Sequence, residues 1–168
     1  MSREVGFITK TGLMLALALM IQIGLAPFAQ PVVGPLINMI LLLTVVLVGP
    51  WGAVVVGTLT PIVAFSVGIV GLLPIVPVII LGNGIYALSF WAIGQKNRLF
   101  GLIVAAILKF LTLAVGVRIL AMFFVPNLPA ALIAAFSIPQ LYTALIGGFV
   151  AILIIHYLPK KMMGSQWL

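Results

Sequence analysis

"GLIVAAILKFLTLAVGVRIL", Gly101–Leu120, decides how this chain is read. The run is almost wholly apolar and as long as the ~20 residues a helix needs to cross a bilayer. Yet it holds Lys109 and Arg118. A lysine at the centre of a membrane helix costs roughly 2.5–3.5 kcal/mol on insertion scales. The only acidic residue of the chain is Glu4, at the far end of the sequence, so no carboxylate is at hand to neutralise either cation.

The rest of the chain continues the pattern. Hydrophobic residues fill 65% of the 168 positions and charged residues 5%. A water-soluble domain needs far more polar surface, so the composition implies an all-α integral membrane protein with a single membrane domain over residues 1–168. The net charge of +7 resembles a nucleic-acid signal, but the Lys and Arg residues are scattered at segment ends, so no nucleic-acid partner is expected. Cysteine is absent, which removes disulfides and thiolate metal sites. Arg3 and Lys10 precede an apolar run as in a signal peptide. No small-residue cleavage site followed by a polar region appears, so this run is expected to be the first span, retained.

Proline, glycine and charge divide the chain into six expected spans, at about 8–26, 33–48, 51–67, 75–93, 99–124 and 137–158. The breaks are "APFAQP" (Ala26–Pro31), the tight turn "GPWG" (Gly49–Gly52), "GIVGLLP" (Gly68–Pro74), "GQKNR" (Gly94–Arg98) and "VPNLPAA" (Val125–Ala131). An even number of spans puts both termini on one side. Arg3, Lys10, Lys96, Arg98, Lys160 and Lys161 all fall on that side, and the opposite connections carry no charge. The positive-inside rule then places both termini in the cytoplasm.

Lys109 and Arg118 remain. Lys109 lies ten residues into the fifth span, ~15 Å deep at ~1.5 Å per residue and near the midplane. Arg118 is nine residues further, and nine steps of ~100° put it on the opposite face. Arg118 has two readings, a snorkelling anchor at the outer headgroups or a pocket-rim residue. Snorkelling from Lys109 would have to cover half a bilayer and is disfavoured, so Lys109 is expected to face the bundle interior, water or polar partners, either in a site or in a structural bond to a backbone carbonyl. Asn38, Asn83 with Tyr86 three residues on, and Gln140 with Thr143 three residues on are the other polar groups within the spans that draw attention. Each reads as a helix-to-helix hydrogen bond or as a ligand contact. Asn38, Asn83, Gln140 and Arg118 all fall in the outer half, and a cluster there, with Lys109 as its floor, would make a pocket open to the outside. In "TGLMLALA" (Thr11–Ala18), Gly12 and Ala16 have small-xxx-small spacing, which lets another helix approach closely.

No enzyme is expected. The single histidine, His156, lies beside the basic C-terminus, and there is no carboxylate pair, cysteine nucleophile, metal-ligand set or phosphate-binding loop. Without intramembrane Asp or Glu, coupling to protons or sodium is disfavoured. Three kinds of role fit: a binding subunit driven by a partner, a structural or assembly membrane protein, and a passive facilitator.

"VGPLINMILLLTVVLVGPWGAVVVGTLTPIVA" (Val33–Ala64), followed by "VPVIILGNGIYAL" (Val76–Leu88), resembles the substrate-binding S components of energy-coupling factor (ECF) vitamin transporters. The resemblance extends over nearly the whole chain, through its small size, the turn at Gly49–Gly52 and the small residues of the first span. It implies capture of a vitamin or precursor from outside by helices 4 to 6 and the outer loops. It further implies docking on a coupling subunit with two ATPases, then toppling in the membrane to release cargo. Gly12 and Ala16 match an Ala-xxx-Ala docking face, with Gly replacing the first Ala. No cofactor is expected in the chain itself; ATP and Mg would be held by the ATPases, and the location would be a prokaryotic plasma membrane. A cationic vitamin would want a carboxylate, and none is available. The nearest subgroup is that for hydroxymethylpyrimidine, with pyridoxine-type substrates as neighbours and pantothenate as runner-up. Substrate contacts are expected at Asn38, Asn83, Tyr86, Lys109, Arg118 and Gln140.

Overall fold

Glycine, proline and one asparagine set the helix ends in the computed structural model, which describes residues 3–164 and 167. The helices are α1 (Arg3–Gly24), α2 (Ala29–Leu47), α3 (Pro50–Ser66), α4 (Val76–Gly94), α5 (Arg98–Phe123), α6 (Ala130–Ala135) and α7 (Ile138–Tyr157). Between α2 and α3, Gly49 takes φ of 121°, a conformation open to glycine, and its N–H donates to the Thr44 carbonyl. Pro50 then opens α3, where its fixed φ fits and its missing N–H leaves no bond unmade. The side chain of Asn97 caps α5 by accepting from the Phe100 N–H at 3.0 Å.

Among the described residues, five helical stretches are long and apolar enough to cross a membrane: Glu4–Gly24, Gln30–Leu47, Leu73–Gly94, Arg98–Phe123 and Ala130–Tyr157. The expected third span, α3, has 17 residues and falls short of them. At ~1.5 Å per residue it reaches ~26 Å, against a hydrocarbon core of ~30 Å. Its length is limited by the Gly49–Pro50 turn at one end and the positive-φ Gly68 just beyond the other. The connection expected at Val125–Ala131 is also more structured than a loop, because Pro129 leads into α6.

α2 is the central helix. Ile40, Leu41, Leu42, Leu43, Val45 and Val46 are all buried, so this part of the helix is enclosed around its whole circumference. It packs most extensively on α7, and also on α1, α3 and α4; the α4–α5 pair is the tightest in the bundle. Two glycines make these approaches possible. A Cβ on Gly147 of α7 would strike the Pro35 carbonyl of α2, and one on Gly101 would lie 2.5 Å from the Gly94 Cα. α1 packs chiefly on α2 and α3 and leaves most of its surface open.

The two ends of the bundle differ. At one end, Thr11 meets the start of α3 at Gly52, and the C-terminal residues fold back over the α4–α5 turn. Trp167 is buried there and stacks on Phe90, with ring centroids 5.3 Å apart. The Gly164 N–H donates to the Val46 carbonyl at 3.0 Å, and the Arg98 guanidinium donates to the Trp167 carbonyl at 3.4 Å. Lys96, Arg98, Lys160 and Lys161 belong to this end. The other end is built by the α1–α2, α3–α4 and α5–α7 connections. Val70, Leu72, Ile75, Val117, Leu128, Leu132 and Phe136 there join a second apolar cluster.

The glycine contacts give a direct test. Gly147→Ala is expected to lower stability by about 1–3 kcal/mol through overpacking, seen as an earlier thermal unfolding midpoint in detergent. Gly12→Ala, where an added Cβ meets nothing within 4 Å, is expected to leave the midpoint unchanged or raise it.

Candidate functional site

Lys109 is buried at the middle of α5 with 4% of its surface exposed. Its Nζ donates to Asn38 Oδ1 on α2 at 2.6 Å and to Asn83 Oδ1 on α4 at 2.7 Å. It also lies 5.1 Å from the centre of the Tyr86 ring. An ammonium has three donors and no acceptor, so two amide oxygens and an aromatic face supply the negative potential that no carboxylate offers here. Asn83 and Tyr86 meet the same lysine because residues three apart share a helix face.

Each partner of Lys109 is itself fixed. Asn83 Nδ2 donates to the Gly57 carbonyl on α3 at 3.0 Å. Gly57 has no side chain there; a Cβ would lie 3.0 Å from the Asn83 Cβ, so glycine lets α3 and α4 close on each other. The buried Tyr86 hydroxyl donates to the Ala144 carbonyl on α7 at 2.7 Å. Asn38 Nδ2 faces Thr143 Oγ1 at a long 3.5 Å, and Thr143 Oγ1 donates to the Gln140 carbonyl at 3.1 Å. One polar cluster thus ties α2, α3, α4, α5 and α7 together.

A cavity of about 360 Å³ lies over this cluster, within the ~300–1,000 Å³ range of small-molecule sites. Its polar lining is Gln22, Gln30, Asn38, Thr60, Asn83, Lys109 and Gln140. Its apolar lining includes Ile69, Val70, Leu72, Ile75, Ile79, Leu113, Leu132 and Phe136. Among the described residues, no acidic residue lines it. Among the described residues, no group of three or more His, Cys, Asp or Glu is placed to hold a metal ion.

The expected site residues separate into two sets. Asn38, Asn83, Lys109 and Gln140 come together on the cavity wall, and Tyr86 lies directly behind Lys109. Arg118 is not on the wall; it is exposed and donates to the Ala114 carbonyl of its own helix at 2.7 Å. Gly12 and Ala16 lie on the open side of α1, away from the cavity. The wall is broader than three helices and their loops, because α1, α2 and α3 contribute Gln22, Gln30, Asn38 and Thr60. Gln22 and Gln30 were legible in principle, as amides flanking the first break in an otherwise apolar sequence. Thr60 was not, since threonine back-bonded to its own helix, here to the Val56 carbonyl, is common in membrane helices.

The cluster predicts a difference between the two cations. Lys109→Met leaves two buried amide oxygens without their donor, at about 1–3 kcal/mol each. Its thermal midpoint in detergent is expected to fall clearly, while Arg118→Gln is expected to stay close to wild type.

A comparison with known families agrees with this geometry. The family model described as "ECF transporter, substrate-specific component" matches residues 7–159. No match is found among curated proteins, and none among solved structures. Family members of this kind are substrate-binding subunits of transporters rather than catalysts. An all-helical, membrane-spanning bundle enclosing a polar-floored cavity, matched over nearly its whole length, leads to one conclusion: this chain belongs to the family of ECF transporter substrate-specific components.

Proposed function

We propose that the chain captures a small water-soluble vitamin or precursor outside the cell and delivers it through an ATP-driven ECF module. The observation that carries this reading is the cavity of about 360 Å³ over the Lys109–Asn38–Asn83 cluster. The cavity offers one polar floor and an extended apolar wall with a single aromatic ring, Phe136. That combination suits a flat heteroaromatic molecule with hydrogen-bonding groups on its edge, such as hydroxymethylpyrimidine or a pyridoxine-type substrate. Asn38, Asn83, Lys109 and Gln140 are the contacts, with Tyr86 supporting Lys109 from behind. A second reading, pantothenate, is favoured by one specific observation: Lys109 is a buried cation with no protein anion, and a ligand carboxylate would supply one.

In this proposal six helices cross the plasma membrane, with α3 as a short sixth span. The end bearing Lys96, Arg98, Lys160 and Lys161 faces the cytoplasm, and the cavity faces outward. Delivery then needs a partner. The open side of α1 bears Gly12 and Ala16, with exposed Ile8, Leu13 and Met20 nearby. It is the docking face for the coupling subunit, whose two ATPases bind ATP and Mg.

Reconstitution with a coupling subunit and two ATPases in liposomes is expected to give vitamin uptake that requires ATP. Replacing both Gly12 and Ala16 by Leu is expected to cut uptake about tenfold or more, with ligand binding to the isolated chain unchanged. Intact uptake in that double variant overturns the docking face. Equal uptake without the ATPases makes the protein a passive facilitator.

A further inference from the structure

A groove on the lipid-facing surface of the bundle shares no lining residue with the substrate cavity. It has a volume of about 360 Å³ and runs between α5 and α7. Leu99, Leu102 and Ile103 form one wall, Leu145, Phe149 and Val150 the other, and every lining residue is apolar. Leu102 is the buried base, while Leu99, Ile103 and Phe149 stay exposed. In a bilayer the neighbour at such a surface is lipid, and a gap left unfilled forfeits dispersion contacts along its whole lining.

The place of the groove along the helices selects the lipid. A Cβ on Gly148 would strike Leu102, so these two residues lie at one level. Leu99 is then about one turn nearer the end of the bundle where α5 begins. The groove therefore opens just beneath the headgroups at that end, and four cations gather there. Lys96 and Arg98 lie just before Leu99 in the chain. The Arg98 guanidinium donates to Met163 Sδ at 4.0 Å and to the Trp167 carbonyl at 3.4 Å, which holds the tail carrying Lys160 and Lys161 against the start of α5. Lys96, Lys160 and Lys161 are exposed. The only acidic residue, Glu4, lies on α1, which packs chiefly on α2 and α3. Each lysine near a membrane surface favours anionic lipid, and here three act without a competing carboxylate. We propose that the α5–α7 groove binds one anionic phospholipid, its acyl chain between the two helices and its phosphate among the lysines. Both helices also reach the substrate cavity, through Lys109 and Gln140, so the seated chain braces that site from behind. The proposal needs only an embedded bundle and holds whatever the substrate.

Native mass spectrometry of the purified full chain tests this, in detergent holding equal amounts of phosphatidylglycerol and phosphatidylcholine with the same acyl chains. The wild-type protein is expected to retain one phosphatidylglycerol, preferred about tenfold over phosphatidylcholine. Ile103→Trp and Val150→Phe fill the groove from opposite walls. Either variant, once a cooperative thermal transition shows that it is folded, is expected to lose the retained lipid. Lys96→Gln, Lys160→Gln and Lys161→Gln together are expected to leave a lipid bound but abolish the preference, an arm that decides the question even where neither groove variant folds. Glycerol 3-phosphate, a headgroup without chains, is expected not to displace the lipid. Equal retention of the two lipids by wild-type protein, as for annular lipid only, overturns the proposal. So does undiminished phosphatidylglycerol on a folded groove variant, or an unchanged preference in the triple lysine variant. Displacement by glycerol 3-phosphate reduces the site to a phosphate contact and overturns the acyl-chain assignment. A wild-type dimer that a groove variant converts to monomer gives the groove to a second copy of the chain and overturns it as well.

Discussion

A buried ammonium without a carboxylate is the constraint around which this bundle is arranged. Lys109 cannot be solvated by lipid, and no acidic side chain lies within its reach. Its charge is met instead by two amide oxygens, at 2.6 and 2.7 Å, and by the face of Tyr86. Those partners sit on α2 and α4, so satisfying one lysine fixes three helices against each other. Asn83 extends the constraint to α3 through the Gly57 carbonyl, and Tyr86 extends it to α7 through the Ala144 carbonyl. In a low-dielectric interior such a network holds only when every member is satisfied, which favours a rigid floor.

The rigid floor divides the molecule by function. On one side, the α4–α5 hairpin closes at Gly94 and Gly101, and Trp167 fills the end of the bundle against Phe90. On the other side the helices diverge around the cavity, beneath connections that bring Leu72, Leu132 and Phe136 to its wall. A protein of this kind needs no engine of its own. It needs a site that recognises a small molecule and a surface that a driven partner grips, and membership of the ECF substrate-specific components supplies the context for both. In the proposed reading the second task falls to α1, which packs chiefly on α2 and α3 and leaves most of its surface open.

Much of this was legible in the sequence, for identifiable reasons. Helix ends followed from the breaks at Gly49–Pro50 and Gly94–Arg98, whose local chemistry acts without tertiary help. Lys109 stood out because a charge amid apolar residues has few physical explanations. Asn38, Asn83 and Gln140 stood out because amides avoid lipid. The bonds among them were not legible, since nothing in the spacing of residues 38, 83 and 109 says which faces meet. Arg118 was open between a headgroup anchor and a pocket-rim residue, and only the structure shows it turning back to the Ala114 carbonyl, off the cavity wall. The short α3 and the added α6 depended on how far a turn persists after Gly68 and Pro129. The seating of Trp167 on Phe90 depends on a tail folding back, which has no local signature.

The central claim is that the cavity over Lys109 holds a small molecule taken up by the cell. Native mass spectrometry of the chain, purified gently from membranes and released from detergent, tests it most directly. The account predicts one bound small polar molecule, matching a vitamin or precursor in mass, on the wild-type protein and lost from a folded Lys109→Met variant. Wild-type protein that carries no such molecule, and gains none when vitamins are added before the measurement, would contradict it.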